Sequence, residues 1–286
     1  MNGVKIIKLG DLEYPRALLD LKNPPKQLYV KGNLQLLTRP LVSIVGTRDC
    51  TRYGLTVAKE LGEKCAAAKI CVVSGLAEGI DTAAHTGAKG CTIAVLGNGL
   101  DCYYPISNKD LQDEIAATGL LISEYPLGVH GDKTTFPQRN RIVAALGQAV
   151  VAVEADKKSG TLITVGVAKQ LHREIFAVPG NINCYASQGT NSLIANKTAR
   201  VLTSTDEIVA YFGGAAQNQP EKTPARQITF EQKIILDILK TDEVHVDELL
   251  EQSGFAVPQL STLLTNMEMI GLIEKLPGNY FVAKNK

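Results

Sequence analysis

The chain has 286 residues, 45% of them hydrophobic, and a formal net charge of +1. This composition supports a sizeable core and more than one domain. The near-neutral charge excludes a uniformly basic protein, so any site for an anion must be a local cluster. The sequence shows no apolar run long enough to span a bilayer and no signal-peptide pattern, which predicts a cytoplasmic protein without membrane association.

Cysteine and histidine usage argues against metal binding. The six cysteines include no CxxC pair and stand largely among apolar or small residues, and the four histidines are scattered. Buried, reduced thiols are the expected state of such cysteines in a cytosolic protein. We therefore predict no disulfide, no metal site and no cofactor.

Residues 1–40 carry seven Lys or Arg against three Asp or Glu, and we interpret them as a lead-in segment that packs on the core. Over residues 41–212, apolar β-branched runs alternate with helical patterns, and the two charge types balance at sixteen each. The predicted strands are 41–46, 70–75, 92–97, 120–123, 149–155 and 174–180. The predicted helices are 53–68, 80–88, 108–118, 141–147 and 162–171. Strands that are apolar on both faces indicate an α/β, Rossmann-like parallel sheet with helices on both faces.

Small and hydroxyl residues follow several predicted strands, where the next helix begins. The carboxyl ends of parallel strands share one edge, and such residues let backbone N–H groups approach a phosphate. The candidate residues are Gly46, Thr47, Ser74, Gly75, Ser159, Gly160 and Thr161, together with the cation Arg48 beside them. A single turn of this kind has a simpler explanation, because tight βα turns need glycine for their own geometry. Several at one edge indicate an anion site, and the absence of G-x-G-x-x-G and Walker patterns argues against NAD and ATP.

The segment TTFPQRNRIVAALGQAVVAVEA, residues 134–155, predicts a helix that leads into a buried strand. The pattern places the start of the helix near Arg139, Asn140 and Arg141. Two arginines are unfavourable beside the positive end of a helix dipole unless an anion, such as a phosphate, lies among them. The alternative is that these arginines pair with acidic side chains, for which the candidates are Asp132, Glu124 and Glu154.

An aromatic residue and a lysine precede these arginines. Phe136 can stack on an unpaired base, a contact worth roughly 1–3 kcal/mol, and Lys133 can contact a phosphate. This alternation of basic and aromatic residues suits a single strand better than a duplex. The alternative for Phe136 is a hydrophobic staple at the start of the helix. Lys169, in the helix after the fifth strand, completes the predicted DNA-contact set.

Two other groups of residues are typical of enzymes. Asp81 and His85 stand four residues apart on a predicted helix, as in an acid–base pair, but a helix cap and a core hydrogen bond explain them equally well. Glu154 precedes the Ser–Gly–Thr turn, as in nucleotide hydrolases of this fold, although a single carboxylate is weak evidence. We predict no catalytic residue.

Residues 213–227 are small and polar with intervening prolines, which predicts a linker. Residues 228–286 show a helix, a helix–turn–helix and a hairpin that turns at 277–279, the layout of a small winged-helix domain. The recognition helix, 258–270, contains Glu268 and no Lys or Arg, whereas binding in a DNA groove depends on cations. We interpret this domain as a protein-contact or regulatory module.

Seven motifs occur in a fixed order: SIVGTRDCTRYG, VVSGLAEGIDTAAHTGA, TIAVLGNGLDCYYP, ISEYP, FPQRNRIVAAL, SGTLITVGVA and REIFAVPGNI…GTNSLI. They closely resemble the DprA (Smf) family of DNA-processing proteins, densely over residues 41–212. The resemblance implies a homodimer that binds single-stranded DNA during natural transformation and loads the recombinase RecA onto it. It implies no catalysis. The C-terminal domain resembles a winged-helix module found in part of the same family.

Three function classes remain open from the sequence. The first is a single-stranded DNA-binding recombination mediator. The second is an enzyme that acts on nucleotides or nucleoside phosphates in the same sheet-edge pocket, for which a requirement for Glu154 would be diagnostic. The third is a winged-helix regulator with a ligand-sensing domain, which sequence-specific duplex binding would support.

Overall fold

The structure is a computed structural model that describes residues 3–213, 229–239, 243–269 and 271–283. The chain divides into two compact units, residues 1–219 and 220–286. The predicted linker lies outside the described residues, apart from Gly213. Within the described ranges, no helix has the length and apolar character needed to cross a membrane.

The larger unit is built on a nine-stranded sheet. The strands are β1 (Lys5–Lys8), β2 (Gln27–Gly32), β3 (Leu41–Val45), β4 (Cys71–Ser74), β5 (Thr92–Leu96), β6 (Leu120–Ser123), β7 (Ala149–Ala152), β8 (Glu174–Ala177) and β9 (Arg200–Val201). Their order is β1-β2-β6-β5-β4-β3-β7-β8-β9. Strands β3 to β9 are parallel to one another, and β2 is antiparallel to both β1 and β6. All six predicted strands are present, which confirms the α/β class.

Helices cover both faces of this sheet. They are α1 (Arg52–Ala67), α2 (Ile80–Gly87), α3 (Lys109–Thr118), α4 (Thr135–Leu146), α5 (Gly160–Gln170), α6 (Gln188–Ala195) and α7 (Asp206–Tyr211). One core cluster joins the sheet to α4 and α5, and another joins it to α1, α2 and α7. Both faces of β3 are buried, since Leu41 and Val45 belong to the first cluster and Val42 and Ile44 to the second. Its sequence therefore does not alternate between apolar and polar residues.

The lead-in segment contributes strands β1 and β2 to the sheet itself. Strand β2 pairs with β6, so the segment extends one edge of the sheet instead of packing only on its surface. Three of the four residues of β1 are exposed, among them Lys5 and Lys8. Such an exposed edge strand lacks the apolar run by which the central strands are recognised.

The strand order reverses at β3. Strands β4, β5 and β6 follow on one side of it, and β7, β8 and β9 on the other. The connections that leave β3 and β7 therefore diverge to opposite faces and leave a crevice at the carboxyl edge of the sheet. This topology fixes where a ligand site can form.

The smaller unit is a winged helix. It contains α8 (Phe230–Ile238), β10 (Val244–His245), α9 (Val246–Ser253), α10 (Val257–Met269), β11 (Ile273–Leu276) and β12 (Tyr280–Ala283). The antiparallel sheet has the order β10-β12-β11. The hairpin turns where predicted, at residues 277–279, and the φ angles of Gly278 (81°) and Asn279 (62°) lie in the left-handed region that these residue types tolerate.

A buried arginine ties together the ends of two strands. Arg139 is 5% exposed, and its guanidinium donates hydrogen bonds to the carbonyl oxygens of Gly75, after β4, and Val95, in β5. Helix α4 begins at Thr135, so the predicted start near Arg139 was wrong by one turn. The side chain therefore lies inside the fold and is not displayed at the helix N-terminus.

Asp81 and His85 of α2 lie near this arginine, and both are buried. The Asp81 carboxylate accepts hydrogen bonds from the backbone N–H groups of Gly75 (3.1 Å) and Ala77 (3.4 Å). Burial raises the pKa of Asp81, and the charge of Arg139 opposes that rise. Asp81 therefore holds the turn after β4 and does not cap α2, whose N-cap is Gly79.

His85 hydrogen-bonds to the core instead of to Asp81. Its Nδ1 lies 2.7 Å from the Thr92 hydroxyl, which in turn donates to the carbonyl of Val72 at 3.1 Å. The Nε2 atom of the His85 ring is buried and has no hydrogen-bond partner. Burial, with the charge of Arg139 second, lowers the pKa of His85 to about 3.

Replacing Arg139 by Ala should destabilise the protein strongly. The variant leaves two backbone carbonyls without a donor and the Asp81 carboxylate without its nearby cation. Loss of one buried charged partner costs about 3–5 kcal/mol of unfolding free energy. Arg141→Ala is the matched control, because that side chain is only partly buried in its ion pair and its loss should cost about 1 kcal/mol. Equal losses in urea denaturation would contradict the assigned role of Arg139.

Burial of His85 predicts a loss of stability in acid. The imidazole has an ordinary pKa of 6.5, and folding lowers it to about 3. Below pH 6.5 the unfolded state binds more protons, so the unfolding free energy falls by about 1.4 kcal/mol per pH unit until the folded pKa is reached. His85→Gln keeps a hydrogen-bonding group and cannot titrate, so it should remove this part of the pH dependence.

Urea denaturation at pH 7 and pH 5 tests this expectation. The drop in unfolding free energy between the two should be about 2 kcal/mol smaller in His85→Gln than in the wild type. Drops of equal size would mean that His85 is not buried in its neutral form.

Candidate nucleic-acid interface

An open cleft of about 550 Å³ lies at the carboxyl edge of the sheet. Its walls are the turns that follow β3 and β7 and the first turns of α4 and α5. This is the crevice that the reversal of strand order creates. The predicted residues that line it are Gly46, Thr47, Arg48, Lys133, Phe136, Arg139, Asn140, Ser159, Gly160 and Thr161.

The start of α5 is an open turn. Ser159 caps the helix by accepting a hydrogen bond from the N–H of Thr161 at 3.2 Å. A Cβ added at Gly160 would meet no atom within 4 Å, so this side of the turn faces open space. Lys157 and Lys158 are exposed just before it. Helix N–H groups, the helix dipole and nearby cations together favour a phosphate here.

The turn after β3 is closed by packing, and its arginine is free to reach the cleft. A Cβ on Gly46 would lie 2.4 Å from the Ile80 side chain, so glycine serves close packing here. The N–H of Thr47 donates to the Glu154 carbonyl at 2.8 Å and is not available to a ligand. Arg48 is exposed, and its guanidinium lies 5.6 Å from the centroid of the Phe136 ring.

Phe136 belongs to an aromatic pair. Its ring stacks on that of Tyr104, with centroids 4.7 Å apart and an interplanar angle of 27°. The ring also fits closely against the backbone, since a Cβ on Gly97 or Gly131 would lie 2.7 Å from it. A hydrophobic staple joins the residue before the N-cap to the fourth helical residue, and Phe136 is the second residue of α4. The staple alternative therefore does not apply.

The anion-binding end of α4 is already occupied by a carboxylate. Asp132 accepts hydrogen bonds from the backbone N–H groups of Thr134 (2.7 Å) and Thr135 (2.9 Å). Hydrogen bonds from the Thr134 side chain and from these N–H groups lower the pKa of Asp132. The cation on this wall of the cleft is Lys133, which is exposed.

Four predicted residues lie away from the cleft. The hydroxyl of buried Ser74 donates to the Ile44 carbonyl at 2.6 Å. Gly75 lies beneath the Arg139 guanidinium, which a Cβ there would overlap. The other two are the cations Arg141 and Lys169.

Arg141 pairs with Glu124 at 2.5 Å and donates to the Asn23 carbonyl at 2.9 Å, as the ion-pair alternative proposed. Lys169 lies in the last turn of α5. Nine residues separate it from Gly160 at the start of the helix, which is about 13 Å along the axis. The structure therefore brings neither cation to the cleft.

Glu154 is a structural carboxylate. It is 1% exposed and accepts hydrogen bonds from the N–H (2.8 Å) and hydroxyl (2.6 Å) of Thr51, the N-cap of α1. Its two oxygens are thus engaged at a helix start instead of facing the cleft. In the described part of the chain, no group of three or more His, Cys, Asp or Glu side chains is placed to hold a metal ion.

Tyr104 is the residue of this interface that the sequence does not single out. It is 45% exposed and lines the same cleft. The motif TIAVLGNGLDCYYP contains it, but two adjacent tyrosines give no indication of which one faces the site. Only the position of Phe136 in space identifies the partner ring.

Helix α10 of the winged helix lacks the cations of a DNA-reading helix, since it contains Glu268 and no Lys or Arg. Beside it lies a cleft of about 370 Å³, whose lining includes Leu264, Phe281, Asp247 and Lys275. This lining is apolar and carries two carboxylates, Asp247 and Glu268, against one ammonium, Lys275, so it is a poor surface for phosphates.

Comparisons with known proteins agree with these observations. The family of DNA recombination-mediator protein A matches residues 5–213, and the DprA winged helix domain matches residues 219–279. Protein Smf of Synechocystis is 33% identical over 94% of this chain and 77% of its own length. DNA processing protein DprA of Streptococcus pneumoniae is 43% identical over 70% of this chain and 71% of its own.

Two solved structures are similar over most of the chain. DprA from Streptococcus pneumoniae gives a TM-score of 0.69 at 40% identity, covering 73% of this chain and 74% of that one. DNA processing protein A from Helicobacter pylori, described for its single-stranded DNA binding mode, gives 0.67 at 34% identity and covers 73% and 95%. This chain therefore belongs to the DprA (Smf) family of DNA-processing proteins.

Proposed function

We propose that this protein is a recombination mediator that binds single-stranded DNA in its sheet-edge cleft. The observation that carries the proposal is the combination of exposed cations with stacked rings at one open edge. Arg48 and Lys133 line the cleft beside Phe136 and Tyr104, and the open N-terminus of α5 faces them. Phosphates and unpaired bases are the two chemical groups that such a surface binds together.

The rings favour a single strand over a duplex. A base inside a duplex has both faces covered by its neighbours, so stacking on protein requires opening the helix at a cost of a few kcal/mol per base. The near-neutral chain offers little compensating long-range attraction to a duplex. The relative from Helicobacter pylori, described for its single-stranded DNA binding mode, supports the same assignment.

The finer parts of the proposal rest on membership of the family. They are loading of RecA onto incoming DNA in natural transformation, action as a homodimer and a cytoplasmic location. The six cysteines are all within the described residues and are all free thiols, which suits a reducing compartment.

The two other function classes lack support from the site. Two catalytic candidates of the sequence are engaged elsewhere, because Glu154 accepts hydrogen bonds from Thr51, the N-cap of α1, and His85 is bonded within the core. A duplex-reading regulator would need cations on α10, which has none. We therefore propose a binding function without catalysis.

Arg48→Ala and Lys133→Ala should each weaken binding of a labelled oligo-dT by several-fold. Each lost phosphate contact should also flatten the salt dependence by about 0.7 log units of affinity per log unit of salt. Lys169→Ala is the matched control, because it removes the same charge from the last turn of α5, outside the cleft lining, and should change neither quantity. Fluorescence anisotropy at several salt concentrations measures both. A loss in Lys169→Ala equal to that in Lys133→Ala would contradict the assigned site.

Deleting residues 220–286 should leave single-strand binding intact. Residues 220–286 carry seven Lys or Arg against ten Asp or Glu, and α10 carries no cation, so the segment offers few phosphate contacts. The remaining residues form a compact unit with its own core. Circular dichroism should show that this core is folded, and anisotropy should give wild-type affinity within about two-fold, a difference of about 0.4 kcal/mol. A folded core that no longer binds would assign DNA contacts to the winged helix.

A further inference from the structure

We propose that Tyr104 provides the outer stacking surface of the cleft, on which an unpaired nucleobase lies, with Phe136 as its inner support. The inference rests on the proposed single-strand binding and names the base subsite within it. Four observations support it: the ring pair itself, the covered state of Phe136, the exposure of Tyr104, and the way the Tyr104 loop is held.

Phe136 has little free surface of its own to offer a base. Tyr104 stacks on it at 4.7 Å, the Arg48 guanidinium lies 5.6 Å from its centroid, and its edge fits against Gly97 and Gly131. A base that stacked directly on Phe136 would have to displace Tyr104 or Arg48. The covered position suits a support for another ring better than a first contact with DNA.

Tyr104 is the more accessible ring of the pair. It is 45% exposed, whereas Phe136 is half-buried. Because one side of Tyr104 rests on Phe136, its exposure is on the remaining side. A base stacked there would continue the column begun by the two rings, and base–aromatic stacking tolerates any base because every base has a π face.

The loop that carries Tyr104 is fixed on both sides. Before it, the Cys102 carbonyl accepts hydrogen bonds from Asn98 (2.8 Å) and Gln112 (3.1 Å). After it, the amide of Asn108 donates to the Leu76 carbonyl at 3.1 Å. A ring held in place before binding loses little conformational entropy when a base stacks on it.

The adjacent Tyr103 is a built-in control. It is 38% exposed, similar to Tyr104, but its hydroxyl donates to Asp113 at 3.0 Å and the Lys109 ammonium lies over its ring. Tyr103 is absent from the residues that line the cleft. The two tyrosines therefore differ in position and not in chemistry.

The first experiment measures affinity for oligo-dT with the full chain. Tyr104→Ala should bind roughly five-fold to 150-fold more weakly, the range of one lost stacking contact. Tyr104→Phe keeps the ring and should bind like the wild type, and Tyr103→Ala should do the same. Wild-type affinity in Tyr104→Ala, or an equal loss in Tyr103→Ala, would overturn the inference.

An abasic strand of equal length separates stacking from phosphate contacts. On this strand wild type and Tyr104→Ala should bind equally, whereas Arg48→Ala should be weaker on both strands. A Tyr104→Ala loss of the same size on both strands would indicate a structural role and overturn the inference. If wild type binds neither strand, the proposed function itself fails and the inference with it. Binding by wild type that Tyr104→Ala leaves unchanged overturns the inference alone.

A fluorescence experiment observes the contact directly. The chain contains no Trp, so Tyr104→Trp introduces a single indole at the subsite. Stacking on a base should quench its emission when oligo-dT is added, and the abasic strand should leave it unchanged. Tyr103→Trp should respond to neither strand. Emission from Tyr104→Trp that is insensitive to saturating oligo-dT would overturn the inference.

Discussion

The shape of the cleft depends on a buried cation, Arg139. Its guanidinium donates hydrogen bonds to the carbonyls of Gly75 and Val95, at the ends of two central strands. These bonds fix the floor of the cleft. Burial lowers its pKa to about 10, which still leaves it charged at neutral pH. The nearby charge of Arg48 also lowers that pKa, so the two cations repel each other. A phosphate between them would relieve this repulsion, which makes an anion a favourable occupant of the cleft.

Only some of the described turns at the sheet edge leave room for a ligand. The turn after β4 is filled by the Asp81 carboxylate, and the turn after β3 by packing against Ile80. The turn before α5 alone combines a capped helix start with open space at Gly160. Glycine at a strand end thus has two physical causes, close packing and access for a ligand. Residue type cannot separate them, because the difference lies in what the rest of the fold places opposite the turn.

The central fold is predictable from the sequence, and the direction of individual side chains is not. Six strands buried on both faces leave continuous apolar runs, whereas β1 is mostly exposed and β9 has two residues. Helix α4 begins before Pro137, since proline is tolerated in a first turn where N–H groups have no partner anyway. That shift of one turn carries Arg139 into the core and Arg141 towards Glu124. The direction of a side chain on a helix depends on how the helix packs in the fold. The spacing of residues in the sequence does not reveal that packing.

In the proposed single-strand site, affinity and selectivity have separate physical origins. Arg48 and Lys133 attract phosphates, which single strands and duplexes share, so cations alone give binding that salt weakens and strandedness hardly affects. In the proposed site, the Tyr104–Phe136 pair stacks on base faces, which only an unpaired strand exposes. A near-neutral chain limits the first contribution to a few local contacts. The fewer the phosphate contacts, the larger the share of the binding energy that must come from the rings, so the proposed preference for single strands follows from the modest charge of the protein.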